Sequence, residues 1–130
     1  MLIGWFAAAY ADPCADPEAV AARSAAIQTM YEEGEAERQD RTASATSVLE
    51  RDEARVAQMV RYDKGGELCT ADDKWAAAWI MTQADKVPTV LRAYEIAQQA
   101  QNAGHPNGNW LVAYVFDLKQ VAQGFRQSYG

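Results

Sequence analysis

Four side chains in this sequence have the chemistry of general acids, general bases or hydrogen-bonding groups at a reaction centre. His105 is the only histidine, and it lies in the loop 104–108, where functional residues are common. Asp117 follows Tyr114 by three residues on the last predicted helix, and Gln83 lies near the end of the third. We expect Asp117 on the inner stripe of its helix, where a buried carboxylate must find a partner or stay protonated. One hypothesis is therefore a small hydrolase-like enzyme that uses Asp117 with one of the other three side chains.

The same residues have structural interpretations. A lone histidine beside a proline between two helices is more often a turn or capping residue than a catalytic one. Asp117 has an alternative role as an anchor for backbone N–H groups or for Arg126, because structural ion pairs also engage carboxylates. We favour the structural interpretation for both residues and do not assign a catalytic site.

Aromatic residues recur at helical spacing in the second half of the chain. The ordinary interpretation is an aromatic core, and the functional one is the wall of a binding cavity between helices. The candidates for ligand binding are Trp75, Trp79, Tyr94 and Trp110, with Tyr114 beside them.

Recognisable motifs of enzymes and metal sites are missing from the sequence. It has no G-x-S-x-G, Walker loop, H-E-x-x-H, dinucleotide fingerprint or C-x-x-C. With a single histidine we expect neither a metal site nor a cofactor. The neighbouring acids Asp72 and Asp73 are explained as first-turn residues favoured by a helix dipole.

The first hypothesis is therefore a small binding or interaction domain without an evident catalytic site, whose partner is a protein or a small molecule. The formal net charge of −6 argues against a nucleic-acid partner, because neutralising phosphates needs a basic surface. A weaker alternative is an inhibitor or immunity protein whose acidic stretch 32–40 blocks a basic cleft.

Export is suggested by the first residues. Segment 1–11 is apolar and uncharged, and Ala9-Tyr10-Ala11 fits the small-x-small rule for signal cleavage. It contains no Lys or Arg and is too short to span a membrane, so we interpret it as a possible truncated signal peptide followed by one domain, 12–130. The alternative is an apolar strap on the core of a cytoplasmic protein. We expect a periplasmic or secreted location and no stable membrane insertion.

The two cysteines bear on the same question. In an exported protein Cys14 and Cys69 would be oxidised to a disulfide that ties the N-terminal segment to the middle of the chain. In a cytosolic protein they would be two small buried thiols.

Composition and the positions of helix-capping residues predict an all-α fold, either a bundle or an orthogonal array of about five helices without a sheet. Alanine supplies 26 of the 130 residues, and no alternating run typical of a strand occurs. Capping signals stand at Asp16-Pro17, at Thr70–Asp73 and at Asn109. Whether 17–62 is one helix or two stays open, with a preferred break at 42–47. One predicted helix begins at residue 17 and another at residue 88. The other three span 47–62, 71–84 and 110–123.

Residues 51–130 resemble a family of uncharacterised bacterial α-helical proteins. That family has a G-x-L-x-T-A-x-D turn, an A-A-x-I stretch followed by Gln and His, a W-L-x-A-x-x-x-D-R helix and a Q-x-[YF]-G-T ending. The matching segments here are 66–73, 77–83, 110–117 and 127–130. Ala84 stands where the family has His, Leu118 stands where it has Arg, and Thr-Gln after Gly130 is missing. The resemblance implies a helical fold and no particular chemistry.

Overall fold

The computed structural model describes residues 11–124, so segment 1–10 and the tail that contains Arg126 lie outside the described residues. The described chain forms five α-helices and has no strand, which confirms the predicted all-α class. None of these helices is long and apolar enough to cross a membrane. The helices are α1 (Pro17–Gln39), α2 (Ala45–Lys64), α3 (Ala71–Met81), α4 (Val87–Asn102) and α5 (Gly108–Ala122).

Two helix starts are capped as the sequence predicts. At α1 the Asp16 carboxylate accepts a hydrogen bond from the Glu18 N–H, and Pro17 occupies the first helical position. At α3 the Thr70 hydroxyl accepts from the Asp73 N–H at 3.0 Å, and the Asp73 carboxylate accepts from the Thr70 N–H at 3.2 Å. This reciprocal capping box fixes the direction in which α3 leaves the preceding loop.

The chain between residues 17 and 64 forms two helices. The break lies at 40–44, slightly before the predicted position, and its extended Asp40 turns the chain by accepting hydrogen bonds from Thr42. At the other end of α2, Gly66 adopts a φ of +69°, and the Glu67 N–H donates to the Tyr62 carbonyl at 2.8 Å. This is a Schellman ending, in which glycine supplies the left-handed conformation that other residues avoid.

Two predicted boundaries were wrong. Helix α3 ends at Met81 rather than near Ala84, because the Thr82 hydroxyl turns back to the Trp79 carbonyl. Helix α5 begins at Gly108 rather than after a capping Asn109.

The position of Gly108 has a steric reason. A Cβ atom there would lie 2.7 Å from the Gln101 Cα, so the start of α5 approaches the end of α4 at backbone distance. Only glycine allows this approach, and it places the two helices close together from their connecting loop onward.

The core lies among α3, α4 and α5, with Ile27 of α1 and Met59 of α2 closing it from the other side. Alanine dominates the contact surfaces, which lets the helix axes approach closely. The buried alanines are Ala76, Ala77, Ala78, Ala93, Ala97 and Ala100. Larger aliphatic side chains, among them Ile80, Ile96, Leu111 and Val115, fill the space between them.

Charged side chains join α1 to α2. The Arg55 guanidinium is largely buried and donates to the Asp52 carboxylate at 2.9 Å and to Glu37. Arg38 approaches the same Asp52 at 3.5 Å. Gly34 is buried beside this network, and a Cβ there would lie 3.0 Å from Arg38 Nη2 and 3.4 Å from Arg55 Nε.

Residues 11–16 are tied to the α2–α3 loop. The Sγ atoms of Cys14 and Cys69 lie at disulfide distance, 2.04 Å. Arg23 of α1 donates to the Glu67 carbonyl at 2.7 Å, to the Pro13 carbonyl at 3.0 Å and to Cys69 Sγ at 3.1 Å. The pairing predicted from the two cysteines is therefore the one the structure has.

Candidate functional site

Six ring-bearing side chains from α1, α3, α5 and the α4–α5 loop form one continuous group, which we call the aromatic face. Adjacent ring centroids are 5.1–6.5 Å apart, within the range of favourable aromatic pairs. Its members are Tyr31, Trp75, Trp79, His105, Trp110 and Tyr114.

The outer part of the face is a stack on α5. The rings of Trp110 and Tyr114, one helical turn apart, are nearly parallel, with an interplanar angle of 7° and centroids 5.3 Å apart. Trp79 of α3 contacts both, at 5.7 Å from Trp110 and 5.1 Å from Tyr114. Trp110 is 53% exposed, although it is among the most hydrophobic residues in the chain. About half of the Trp110 surface is therefore left uncovered by residues 11–124, while Tyr114 and Trp79 are half-buried beside it.

His105 lies at the inner edge of this face, and the end of α4 places it there. Gly104 adopts a φ of +88°, and the His105 N–H donates to the Ala100 carbonyl at 3.1 Å, which makes a second Schellman ending. The imidazole stacks on Trp75 with centroids 5.3 Å apart.

The polar contacts of His105 are those of a turn residue. Its Nδ1 accepts from the Asn107 N–H at 3.0 Å, so the neutral ring carries its proton on Nε2, which lies 3.1 Å from the Asp72 carboxylate. The Trp75 indole N–H donates to the Asn107 carbonyl at 3.1 Å. Both ring nitrogens of the histidine are thus engaged in holding the α4–α5 loop against α3.

The prediction that Asp117 lies on the inner stripe of α5 was wrong. Asp117 is exposed, as is Ala113, and Val121 is 50% exposed, whereas Leu111 and Val115 are fully buried. Helix α5 carries two apolar stripes, and the aliphatic one packs on the alanine-rich surface of α4 because branched aliphatic chains fit between close helices. The stripe that begins at Trp110 faces outward.

Tyr94 does not join the aromatic face. Its ring pairs with Phe116 on another side of α5, at a centroid distance of 5.9 Å. The Lys119 ammonium lies over both rings, 5.3 Å from the Tyr94 centroid and 5.1 Å from that of Phe116. This pair therefore has an internal cation–π contact.

Gln83 lies in a different place again. It lines a groove of about 810 Å³ between α2 and the α3–α4 loop, together with Val56 and Val60 of α2. Its amide donates to the Thr82 hydroxyl at 3.2 Å.

The four candidate acid–base residues consequently do not meet in one site. Tyr114 and Asp117 share a helix face, Gln83 lies in the groove, and His105 is held by Asp72 and Asn107. Within residues 11–124 no hydrogen bond joins any two of the four, and no group of three or more His, Cys, Asp or Glu residues could hold a metal ion.

Two features of the face were missed in the sequence. Tyr31 of α1 packs edge-on against Trp75 at 5.6 Å, and burial, followed by the charge of Glu35, raises the pKa of its hydroxyl. The Trp79 indole N–H is buried without an acceptor among the described residues. Nothing in the sequence signalled either feature, because both depend on contacts between helices.

Comparison of the chain with protein-family models, with curated proteins and with solved structures gives no match. The resemblance of residues 51–130 to a bacterial helical family stays a prediction. The fold and the aromatic face together define the class of protein. It is a small all-α domain with a disulfide-distance cysteine pair and an exposed, stacked aromatic surface.

Proposed function

We propose that this protein is a binding domain without enzymatic activity that recognises a partner protein through the aromatic face. The observation that carries the proposal is the exposure of Trp110 on top of its stack with Tyr114 and Trp79. Exposure of an indole to water is unfavourable, because burying an aromatic side chain lowers the free energy by about 1.5–3 kcal/mol relative to leaving it exposed. A partner that covers it recovers this free energy.

The rigidity of the stack supports the same function. Trp110 and Tyr114 each contact Trp79, which is itself packed on the core, so few side-chain rotations are frozen when a partner binds. Tryptophan and tyrosine dominate the residues that carry most of the binding free energy at protein interfaces. The separation of the four acid–base candidates gives the hydrolase hypothesis no comparable support.

The proposal can be tested without knowing the natural partner. A random peptide library displayed on phage is panned against the full chain, and the affinities of the enriched peptides are measured for the protein and two variants. Trp110→Ala is expected to weaken binding by about thirtyfold, the effect of losing about 2 kcal/mol at an interface hot spot. Phe116→Ala, which removes an exposed aromatic ring on another side of α5, serves as the matched control and should leave the affinity unchanged.

Equal affinities of the enriched peptides for the protein and for Trp110→Ala would contradict the proposal. Circular dichroism of both variants checks that each retains the helical fold.

We also infer that the protein works in an oxidising compartment, the periplasm or the outside of the cell. Support comes from the Cys14–Cys69 pair at disulfide distance, since such bonds persist mainly outside the cytosol. Intact mass of the protein from its native host, with and without reduction, tests this. Two blocked cysteines and loss of the first residues are expected, whereas a full-length chain with two free thiols would contradict export.

A further inference from the structure

We infer that the partner supplies a cation to the aromatic face, so the recognised segment is a basic peptide whose arginine stacks on Trp110 and Tyr114. This inference rests on the proposed function and names the chemistry of the partner. It is carried by the contrast between the Trp110–Tyr114 pair on α5 and the Tyr94–Phe116 pair between α4 and α5, and by the charges around the first.

Among residues 11–124, only one of the two pairs has a cation over its rings. On one side of α5 the ammonium of Lys119 lies over Tyr94 and Phe116, about 5 Å from each ring centroid. On the other side, Trp110 and Tyr114 stack on each other, and neither ring has a lysine or arginine over it among residues 11–124. Trp110 is 53% exposed, and indole binds cations more strongly than phenol or benzene rings do, so the exposed part of Trp110 is the better cation-binding surface.

Two exposed carboxylates lie beside residues of the aromatic face. Asp117 lies three residues after Tyr114 and seven after Trp110, a spacing that puts it on the same helix face. Asp72, with a side chain 84% exposed, lies 3.1 Å from the His105 Nε2, and His105 stacks on Trp75. Neither carboxylate is paired with a lysine or arginine in the described residues.

An arginine side chain fits this arrangement better than a lysine does. Its planar guanidinium can stack on an aromatic ring and still donate N–H groups sideways to a carboxylate, whereas an ammonium presents only a point charge. The apolar surface around Val121 and Ala113, both exposed, would cover hydrophobic neighbours of that arginine. The net charge of −6 adds a long-range attraction for a basic segment.

The test uses two synthetic peptides and the full chain. In the first peptide arginine alternates with leucine, and in the second each arginine is replaced by citrulline, which has the same shape and no charge. Binding is followed by tryptophan fluorescence. We expect the arginine peptide to bind about tenfold more tightly, the effect of a partly desolvated cation–π contact.

A variant pair separates the face from the general acidity of the protein. Asp117→Asn should weaken binding of the arginine peptide about threefold, as loss of an exposed ion pair does, and leave the citrulline peptide unaffected. Glu50→Gln removes the same charge from an exposed position on α2 and is the matched control. Equal effects of the two substitutions would overturn the inference, because they would show attraction by net charge alone.

The outcomes distinguish this inference from the function on which it rests. If both peptides bind equally and Trp110→Ala weakens both, the aromatic face binds a partner but needs no cation, and the inference fails alone. If the arginine peptide binds with the same affinity to Trp110→Ala, the aromatic face is not the binding surface and both proposals fail.

Discussion

Arg23 donates hydrogen bonds to three acceptors at the place where α1, the N-terminal segment and the α2–α3 loop meet. Without Arg23 these acceptors would be left without this donor. Its guanidinium donates to two carbonyls, those of Pro13 and Glu67, and to Cys69 Sγ. The side chain is only 11% exposed, so solvent could not easily replace these contacts. Together with the Cys14–Cys69 pair, this one side chain holds a segment that has no helix of its own.

Arg23→Met keeps most of the volume of the side chain and removes every donor. We expect the free energy of unfolding to fall by about 2–3 kcal/mol, since hydrogen bonds from a charged group are worth about 1.5–3 kcal/mol and the carbonyls lose their partner. Urea denaturation measures this change. Arg41→Met, at an exposed position in the α1–α2 connection, is the control and should change stability by less than about 0.5 kcal/mol. Equal stability of the two variants would contradict the role given to Arg23.

Helix α5 shows how far the sequence determines the site. Its existence follows from composition, and helical spacing pairs Trp75 with Trp79 and Trp110 with Tyr114, each within one helix. The orientation of α5 does not follow, because both of its stripes are apolar and each could face inward. In the structure Leu111 and Val115 are fully buried in the core with the alanines of α4, whereas Trp110 is 53% exposed. This choice depends on packing between two helices, which a pattern within one helix does not contain.

The contact between α1 and α2 was also beyond prediction from the sequence. The charged stretch 32–40 is typical of a solvated face, and most of it is exposed. Glu37 nevertheless faces Arg55 and Arg51 across the helix pair. Because these residues are 14 and 18 positions apart, no local pattern reveals the network.

The Glu37 network predicts how stability depends on pH. Partial burial raises the pKa of Glu37. Hydrogen bonds from Arg55 and Arg51 together lower it by more than burial raises it, so the folded-state pKa is below the ordinary value. A carboxylate of this kind stabilises the fold above the unfolded pKa of about 4.3, and its contribution is lost as the pH falls through the folded pKa. Glu37→Gln should therefore be less stable than the protein at pH 7, with a difference that shrinks below about pH 4.

The urea concentration at the unfolding midpoint, measured for the protein and for Glu37→Gln between pH 7 and pH 3, tests this expectation. Glu50→Gln, which changes an exposed carboxylate on α2, is the control and should show little difference at any pH. A deficit for Glu37→Gln that stays constant down to pH 3 would mean that its charge does not stabilise the α1–α2 contact.

Across the whole molecule, stability is distributed between an alanine-rich core and a tether. The core joins α3, α4 and α5, while the start of the described chain is held by the Cys14–Cys69 pair over a separation of 55 residues. Closing a loop of this size stabilises a protein by about 4 kcal/mol in the chain-entropy model.

Replacing both cysteines, Cys14→Ser with Cys69→Ser, should lower the free energy of unfolding by about 4 kcal/mol. Dithiothreitol should lower the stability of the unmodified protein to a similar level and leave the double variant unchanged. If the unmodified protein unfolds at the same urea concentration with and without the reductant, the tether does not stabilise the fold.

The central claim is that the aromatic face is the binding surface, and fluorine NMR tests it most directly. The full chain is labelled with 5-fluorotryptophan, the resonances are assigned with single Trp→Phe variants, and a peptide enriched by panning is added to saturation. The account predicts that the Trp110 resonance shifts most and that of Trp79 less, because Trp110 is exposed and Trp79 is half-buried. A peptide that binds saturably while the Trp110 and Trp79 resonances stay unchanged would contradict it.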